Sequence, residues 1–219
     1  MKRFLFINGL VAVIAAATVG VLAGGTAHAI VYCDGGHPIN GQTVTGPVSA
    51  GPGCSITNST INGSVTTSAG GSLYATGDTF NGSVTYKQAG SGTNILCDST
   101  VTGSVYVQNT ANPVDIGPGA CGTTNTIDGS VYVQYNSGAI NVSSNNIRQS
   151  AYIQHNSGHV TFNGNIVGGL VSATDNTGGG SVTNNSITGS LTAQHNNPPY
   201  TVSGNTVGGV CNNNGSHFC

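Results

Sequence analysis

The sequence predicts an all-β protein built as a single right-handed parallel β-helix (solenoid) of about eight coils with disulfide-capped ends. Three observations lead to this fold class. A unit of about 20 residues recurs along the chain, apolar and polar residues alternate inside each unit, and Gly, Asn and Ser interrupt the alternation every few positions. The predicted hand follows from the strong right-handed preference of parallel crossover connections.

The repeat is clearest when the chain is aligned on the apolar residue that precedes the phrase x-Gly-Ser-Val. This residue occurs eight times, with spacings of 19 to 26 residues: Ile61, Phe80, Val101, Ile127, Ile147, Ile166, Ile187 and Val207. Four positions later a second residue can be buried in every repeat: Val65, Val84, Val105, Val131, Ala151, Leu170, Leu191 and Cys211. This period with short strands indicates a solenoid in which each repeat is one coil.

The strands are short because the chain must turn corners to wind around a narrow core. In one coil Val131 and Val133 are expected to point inward, while Tyr132 and Gln134 point outward, by the two-residue alternation of a strand. The phrase Asn136-Ser137-Gly138 is expected to form a corner. Gly supplies left-handed backbone there, and Asn supplies hydrogen bonds from its side chain to the main chain.

The first residues have the pattern of a secretory signal peptide. Lys2 and Arg3 precede an apolar stretch at 10–22, and Ala27-His28-Ala29 is a small-residue cleavage motif. We therefore expect a signal peptide at 1–29, cleaved after Ala29, and a secreted, extracellular product without a membrane span. The rest is divided into an N-terminal cap segment at 30–57 and β-helix repeats with a C-terminal disulfide cap at 58–219.

Charge excludes one class of partner. After cleavage Lys87 and Arg148 are the only basic residues. The chain also has six acidic residues, so its net charge is −4 at pH 7. Such a chain cannot neutralise a phosphate backbone, so nucleic acid is not an expected partner.

All the cysteines follow the predicted cleavage site: Cys33, Cys54, Cys97, Cys121, Cys211 and Cys219. An even number in an exported chain indicates disulfides, although six cysteines allow fifteen pairings. Their positions flank the N-terminal segment, the one oversized coil and the last turn. Because open sheet edges need protection, the prediction is nearest-neighbour pairing: 33–54, 97–121 and 211–219.

The stretch NNSITGSLTAQHNNPPYTVSGNTVGGVCNNNGSHFC (184–219) resembles a family of small secreted actinobacterial proteins. These carry repeated N-x-V-G-G-N-L phrases, N-x-P-x-P turns and a final Cys, whereas this chain has Ser-Val or Ser-Leu where Asn-Leu is usual. The resemblance implies a right-handed parallel β-helix of the pectate-lyase-like superhelix type. It implies no chemistry, because that family has no assigned function.

An enzyme of this fold would need carboxylates that converge on a substrate. In the repeat register Asp78, Asp98, Asp128 and Asp175 fall at different positions, and the last of these is placed nine residues after the aligned Ile166. No catalytic residue, metal site or cofactor is therefore predicted.

Two pairs of side chains share a position on different coils. Asp128 and Arg148 do so on successive coils, which predicts a surface ion pair. His155 and His195 do so two coils apart. At ~4.8 Å per coil this separation is too large for one zinc ion, which holds each nitrogen at about 2.1 Å. His155 and His195 are therefore predicted to be solvent-exposed and not to bind a metal.

A column of threonines raises ice binding as a further hypothesis. It contains Thr60, Thr79, Thr100 and Thr126, and Asn146 and Asn165 are expected to interrupt it. A ladder of strand-favouring residues on the surface explains the column better.

The ligand-binding prediction concerns one outward stripe on three successive coils: Tyr106, Tyr132, Tyr152, Gln108, Gln134 and Gln154. The stripe is expected to break at Val171 and Ala173. Aromatic rings flanked by amides suit a sugar polymer, although such ladders also stabilise a sheet without a ligand. The hypothesis is a non-catalytic surface, adhesive or structural module that contacts an extracellular polysaccharide or cell-wall polymer. The alternative is a carbohydrate-active enzyme, a lyase or hydrolase, of the same fold.

Overall fold

The computed structural model describes residues 29–119, 121–217 and 219, and the strands in these ranges all pair in parallel. The predicted signal peptide falls almost entirely on residues 1–28, which lie outside the described part. No helix occurs in the described ranges, and so none there is long and apolar enough to cross a membrane.

Three parallel sheets make up the fold, and each coil contributes one strand to each of them in turn. Sheet 1 has ten strands: Val31–Cys33, Val48–Ala50, Val65–Thr67, Val84–Lys87, Val105–Gln108, Val131–Gln134, Ala151–Gln154, Val171–Thr174, Leu191–Gln194 and Cys211–Asn213. Sheet 2 has nine: Ile39–Asn40, Cys54–Thr57, Leu73–Thr76, Ile95–Cys97, Val114–Ile116, Ile140–Ser143, Val160–Asn163, Gly180–Thr183 and Thr201–Ser203. Sheet 3 has nine: Thr43–Val44, Thr60–Ile61, Thr79–Phe80, Thr100–Val101, Thr126–Ile127, Asn146–Ile147, Ile166–Val167, Ser186–Ile187 and Thr206–Val207.

The predicted parallel solenoid is confirmed, with about nine turns where eight repeats could be aligned. The additional turn comes from the N-terminal segment, where Val44 pairs with Ile61 in sheet 3 and Val48 pairs with Val65 in sheet 1. The phrase x-Gly-Ser-Val is absent from this first turn, and so the alignment did not include it.

One repeat was aligned one residue out of register. In sheet 3 Ile147 pairs with Val167, and Ile166 is 58% exposed. In sheet 1 Ala151 pairs with Val171, which is fully buried, and Leu170 is 39% exposed. A shift of one residue moves every side chain of a strand to the opposite face. With Val167 as the aligned residue, the last four intervals are all 20 residues.

Two of the three corners contain a continuous ladder of buried asparagines. The corner between sheets 1 and 2 has Asn136, Asn156, Asn176 and Asn196. The corner between sheets 2 and 3 has Asn125, Asn145, Asn165 and Asn185, and the partly exposed Asn205 ends this ladder. Nearly every left-handed non-glycine residue, including Tyr135 and Ser144, comes at the end of a strand of sheet 1 or sheet 2, and several of them directly precede these asparagines. The left-handed turn ends the strand and directs the asparagine inward.

The geometry of one asparagine shows how the ladder works. Oδ1 of Asn165 accepts the main-chain N–H of Asn145 at 2.9 Å and its Nδ2 at 3.0 Å. Nδ2 of Asn165 donates to the carbonyl of Val142 at 3.0 Å and to Oδ1 of Asn185 at 3.1 Å. Each amide therefore joins three consecutive coils and leaves no polar atom of its side chain unsatisfied.

The third corner, between sheets 3 and 1, uses serine. Oγ of each serine accepts the main-chain N–H at the equivalent position of the following coil, at 3.1–3.3 Å for Ser64, Ser83, Ser104, Ser130 and Ser150. The corner serines therefore replace the hydrogen bonds that a sheet would supply if it continued around the bend.

The three disulfides connect the pairs that were predicted: Cys33 with Cys54, Cys97 with Cys121, and Cys211 with Cys219. The last of them closes the C-terminal asparagine ladder. The carbonyl of Cys219 accepts the main-chain N–H of Asn205 at 3.0 Å and its Nδ2 at 3.3 Å. This carbonyl replaces the Oδ1 atom that a further coil would provide.

Replacing a ladder asparagine should be costly. We expect Asn165→Ala to lower the free energy of unfolding by about 2–4 kcal/mol, because the main-chain N–H and the side-chain amide of Asn145 lose their acceptor inside the protein. Asn146→Ala is the matched control, since Asn146 is exposed on the neighbouring sheet 3 strand. Urea unfolding of both variants measures the difference, and equal losses would contradict the ladder's importance.

Asp78 occupies a ladder position and predicts a pH dependence of stability. Its Oδ1 accepts the N–H of Ser59 at 2.8 Å, its Oδ2 is buried without a hydrogen-bond partner, and burial raises its pKa to about 7 from 3.8. The folded state thus favours the protonated acid. The contribution of protonated Asp78 to the free energy of unfolding is complete below about pH 4 and is lost as the pH rises through about 7.

The isosteric variant Asp78→Asn has no such dependence at this position. Between pH 4 and 7 the stability of the wild-type protein should fall relative to that of Asp78→Asn, by at most about 1.4 kcal/mol per pH unit. Urea unfolding of the two proteins across this range gives the difference, and a difference that stays constant with pH would show that the acid is not protonated in the folded protein.

Candidate functional site

The predicted stripe lies on the outward face of sheet 1, and we call it the Tyr–Gln stripe. Tyr106, Tyr132 and Tyr152 pair in register on three neighbouring strands. The same strands pair Gln108, Gln134 and Gln154 in register, and all six side chains are partly exposed. The sequence therefore predicted correctly that these residues come together on one face. Ligand binding by the stripe stays a prediction.

The tyrosine rings stack on one another. The centroids of Tyr106 and Tyr132 are 4.9 Å apart with planes at 5°, and those of Tyr132 and Tyr152 are 5.1 Å apart with planes at 11°. Both faces of Tyr132 are thereby covered by its neighbours. The stack offers ring edges and a row of hydroxyl groups along the rod, not three open aromatic faces.

The glutamines form a parallel chain of hydrogen bonds. Nε2 of Gln108 donates to Oε1 of Gln134 at 3.3 Å, and Nε2 of Gln134 donates to Oε1 of Gln154 at 3.0 Å. The chain continues from Nε2 of Gln154 to Oγ1 of Thr174 at 3.4 Å. Each glutamine thus orients the next, and the remaining amide hydrogens and lone pairs point along a fixed row.

The expected break of the stripe at Val171 and Ala173 is wrong, because both side chains face the core and are fully buried. The residues that follow Tyr152 and Gln154 in register are Ser172 and Thr174. The aromatic column therefore ends at a small hydroxyl side chain. The polar column instead continues through Thr174 to Gln194.

The corner after sheet 1 contains a column of exposed side chains, in which the sequence placed His155 and His195 correctly and Asp175 incorrectly. Corrected for register, Asp175 lies eight residues after Val167, between His155 and His195, and not at a ninth position. His155 stacks on Tyr135 with centroids 5.0 Å apart, and Nδ1 of His195 lies 3.6 Å from Oδ1 of Asp175. No group of three or more His, Cys, Asp or Glu in the described ranges could hold a metal ion.

The predicted ion pair is present directly after two strands of sheet 3, with Nε of Arg148 3.1 Å from Oδ1 of Asp128. Both side chains are in contact with solvent, and exposed pairs of this kind contribute roughly 0–1 kcal/mol. Nothing in its setting indicates a reaction.

The threonine column is also present on sheet 3, where Thr60, Thr79, Thr100 and Thr126 pair in register. Thr43 extends it by one coil. The column is interrupted by Asn146 and then by Ile166. Asn165, which was expected at this position, is buried in the ladder.

Sheet 2 carries a groove that the sequence did not predict. Its volume is about 460 Å³, and its polar lining includes Asp115, Asn141, His159 and Thr161. The connection at 88–94 borders one side, and it has seven residues where the equivalent connections of the next coils have five. This longer connection was the available signal, because an insertion at a solenoid corner projects from the surface.

Comparisons with known proteins were made for family models, curated proteins and solved structures, and no match to this chain was found in any of the three. The resemblance of residues 184–219 to secreted actinobacterial proteins stays a prediction.

The stacked rings predict unequal contributions to stability. We expect Tyr132→Ala to lower the free energy of unfolding by about 1 kcal/mol more than Tyr152→Ala, because the central ring loses two stacking partners and the terminal ring loses one. Thr192→Ala, in the same column without a ring, is the control. Equal losses for the two tyrosines, measured by urea unfolding, would mean that the stacking contributes nothing beyond burial.

Proposed function

We propose that this chain is a secreted, non-catalytic β-helix protein, an adhesive or structural surface module, that contacts an extracellular polysaccharide or cell-wall polymer through the Tyr–Gln stripe. The observation that carries the proposal is the regular row of phenol hydroxyls and amides on one exposed face. Its repeat of 4.9–5.1 Å is set by the coils of a rigid solenoid.

A row of this kind suits a polymer better than a small molecule. Hydroxyl and amide groups both donate and accept hydrogen bonds, and so they match the hydroxyl groups of sugars. One such contact is weak, but several contacts at fixed spacing act together once the first has formed. Because the side chains are already ordered by their neighbours, little conformational entropy is lost on binding.

Two further observations support an extracellular setting. Residues 1–29 have the charge and hydropathy pattern of a signal peptide. Three disulfides are present, and disulfides persist in oxidising compartments such as the exterior of the cell.

The arrangement of carboxylates favours a binding protein over a lyase or hydrolase. Asp115 lies on sheet 2, Asp128 directly after a strand of sheet 3, and Asp175 at the corner after sheet 1. Asp78 and Asp98 share the corner between sheets 2 and 3 on successive coils, but Asp78 is buried in the ladder while Asp98 is exposed. A glycosidase instead places two carboxyl groups within about 5–10 Å of each other across the scissile bond.

The test measures retention and product release together. The purified protein is applied to a panel of insoluble polysaccharides and cell-wall polymers. We expect retention on at least one of them without release of soluble sugar. The triple variant Tyr106→Ser, Tyr132→Ser, Tyr152→Ser should lower this retention about tenfold or more, because the short serine side chains cannot replace the row of phenol hydroxyls.

The matched control is the triple variant Thr60→Ser, Thr79→Ser, Thr100→Ser, which changes three in-register side chains on sheet 3. It should be retained like the wild-type protein. If the tyrosine variant is less stable but equally retained, the stripe is only a structural ladder. Absence of retention on every polymer, or release of sugar products, would refute the proposed function.

A further inference from the structure

The groove on sheet 2 has hydrogen-bonding side chains in its lining. Asp115 and Asn141 are paired on adjacent strands and both are partly exposed. Nδ2 of Asn141 donates to Oδ1 of Asp115 at 2.7 Å and to Oγ of Ser143 at 3.1 Å. These two bonds use both hydrogens of the amide, so Asn141 has only its Oδ1 atom left for a ligand.

The carboxylate of Asp115 resembles the amide of Asn141 in what it leaves for a ligand. As a carboxylate, Asp115 offers a ligand only acceptor atoms. Its Oδ1 is occupied by Asn141, and Oδ2 has no hydrogen bond in the described part of the chain. Oδ2 of Asp115, which lies beside Gly119, and Oδ1 of Asn141 are therefore two acceptors on paired strands, and such strands are ~4.8 Å apart. A complementary ligand must bring two neighbouring hydrogen-bond donors, one for each of these acceptors.

The walls around these acceptors are largely apolar. Ile95, Pro113 and Ala139 line the groove on the three successive coils that surround the acceptor pair, while Thr161 and His159 lie on the coil beyond. The groove thus spans four coils, a length of about 14 Å at the usual strand spacing. Flat apolar surface beside paired acceptors matches a sugar ring, whose C–H face is apolar and whose edge carries adjacent hydroxyls.

Other ligand classes fit these groups less well. Calcium takes six to eight oxygen ligands, and only one carboxylate lines the groove. A single ammonium group concentrates its donors at one point, whereas the two acceptors are on different strands and one of them is uncharged.

We propose that the sheet 2 groove is a binding site for a neutral oligosaccharide segment, held by hydrogen bonds from vicinal hydroxyl groups to Asp115 and Asn141. The proposal rests on the proposed function for its ligand class, but it places a second contact on a different face from the Tyr–Gln stripe. A polymer strand or free sugar end bound there would add to retention by the stripe.

The test uses the 15N-labelled protein and soluble tetrasaccharides of glucose, xylose and N-acetylglucosamine, with tetraglucosamine as a cationic comparison. We expect at least one neutral tetrasaccharide to shift the amide resonances of Ile95, Asp115 and Asn141 while those of sheet 3 stay unchanged. Asp115→Asn should weaken this binding about tenfold, because it keeps the shape and the bond from Asn141 but replaces the free acceptor by a donor. Thr201→Ala, in the same outward column of sheet 2 but outside the groove, should bind like the wild-type protein.

The outcomes separate this site from the stripe. Groove shifts that persist in the tyrosine triple variant support the groove even if polymer retention is lost. Retention that needs the tyrosines, without any groove shift, supports the stripe and overturns the groove. Unchanged affinity in Asp115→Asn also overturns it, as does binding of tetraglucosamine alone, which would assign the site to a cation.

Discussion

The fold depends on one constraint: at every corner the main chain leaves its sheet, and its N–H groups still need buried acceptors. Asparagine meets this need at two corners because its amide accepts from the preceding coil and donates to both the preceding and the following coil, as Asn165 does. An unsatisfied buried N–H would cost about 1–3 kcal/mol at each corner of each coil. Because the net stability of a folded protein is only about 5–15 kcal/mol, such losses repeated over nine turns would exceed it.

Much of the architecture could be predicted from the sequence because the constraint repeats. The period, the inward valines and the three disulfide pairs are all confirmed. The register of one coil could not be derived from hydropathy, since Ile166 and Val167 are both apolar and are followed by two glycines. Alignment on the ladder asparagines resolves it, because Asn125, Asn145 and Asn165 each lie two residues before the buried position of sheet 3.

The candidate sites were less predictable, for a related reason. The fold does not require outward-facing side chains to repeat from coil to coil. The Tyr–Gln stripe could be located in the sequence only because identical residues recur on successive coils. The sequence could not show that the tyrosine faces are covered by stacking. The groove around Asp115 depends on the shape of a longer corner connection and on which amide hydrogens of Asn141 are already used. Such properties appear only once neighbouring coils are in contact.

The equal spacing of the last coils has a consequence for how such a protein can change over evolutionary time. Between Ile127 and Val207 every interval is 20 residues, and each coil offers its neighbours the same ladder groups. A duplication or deletion of one unit in the gene therefore restores every corner contact, provided that the segment ending at Cys219 is kept. The number of coils can therefore change by one at a time without a change in the core. Selection can alter the length of the molecule separately from its exposed side chains.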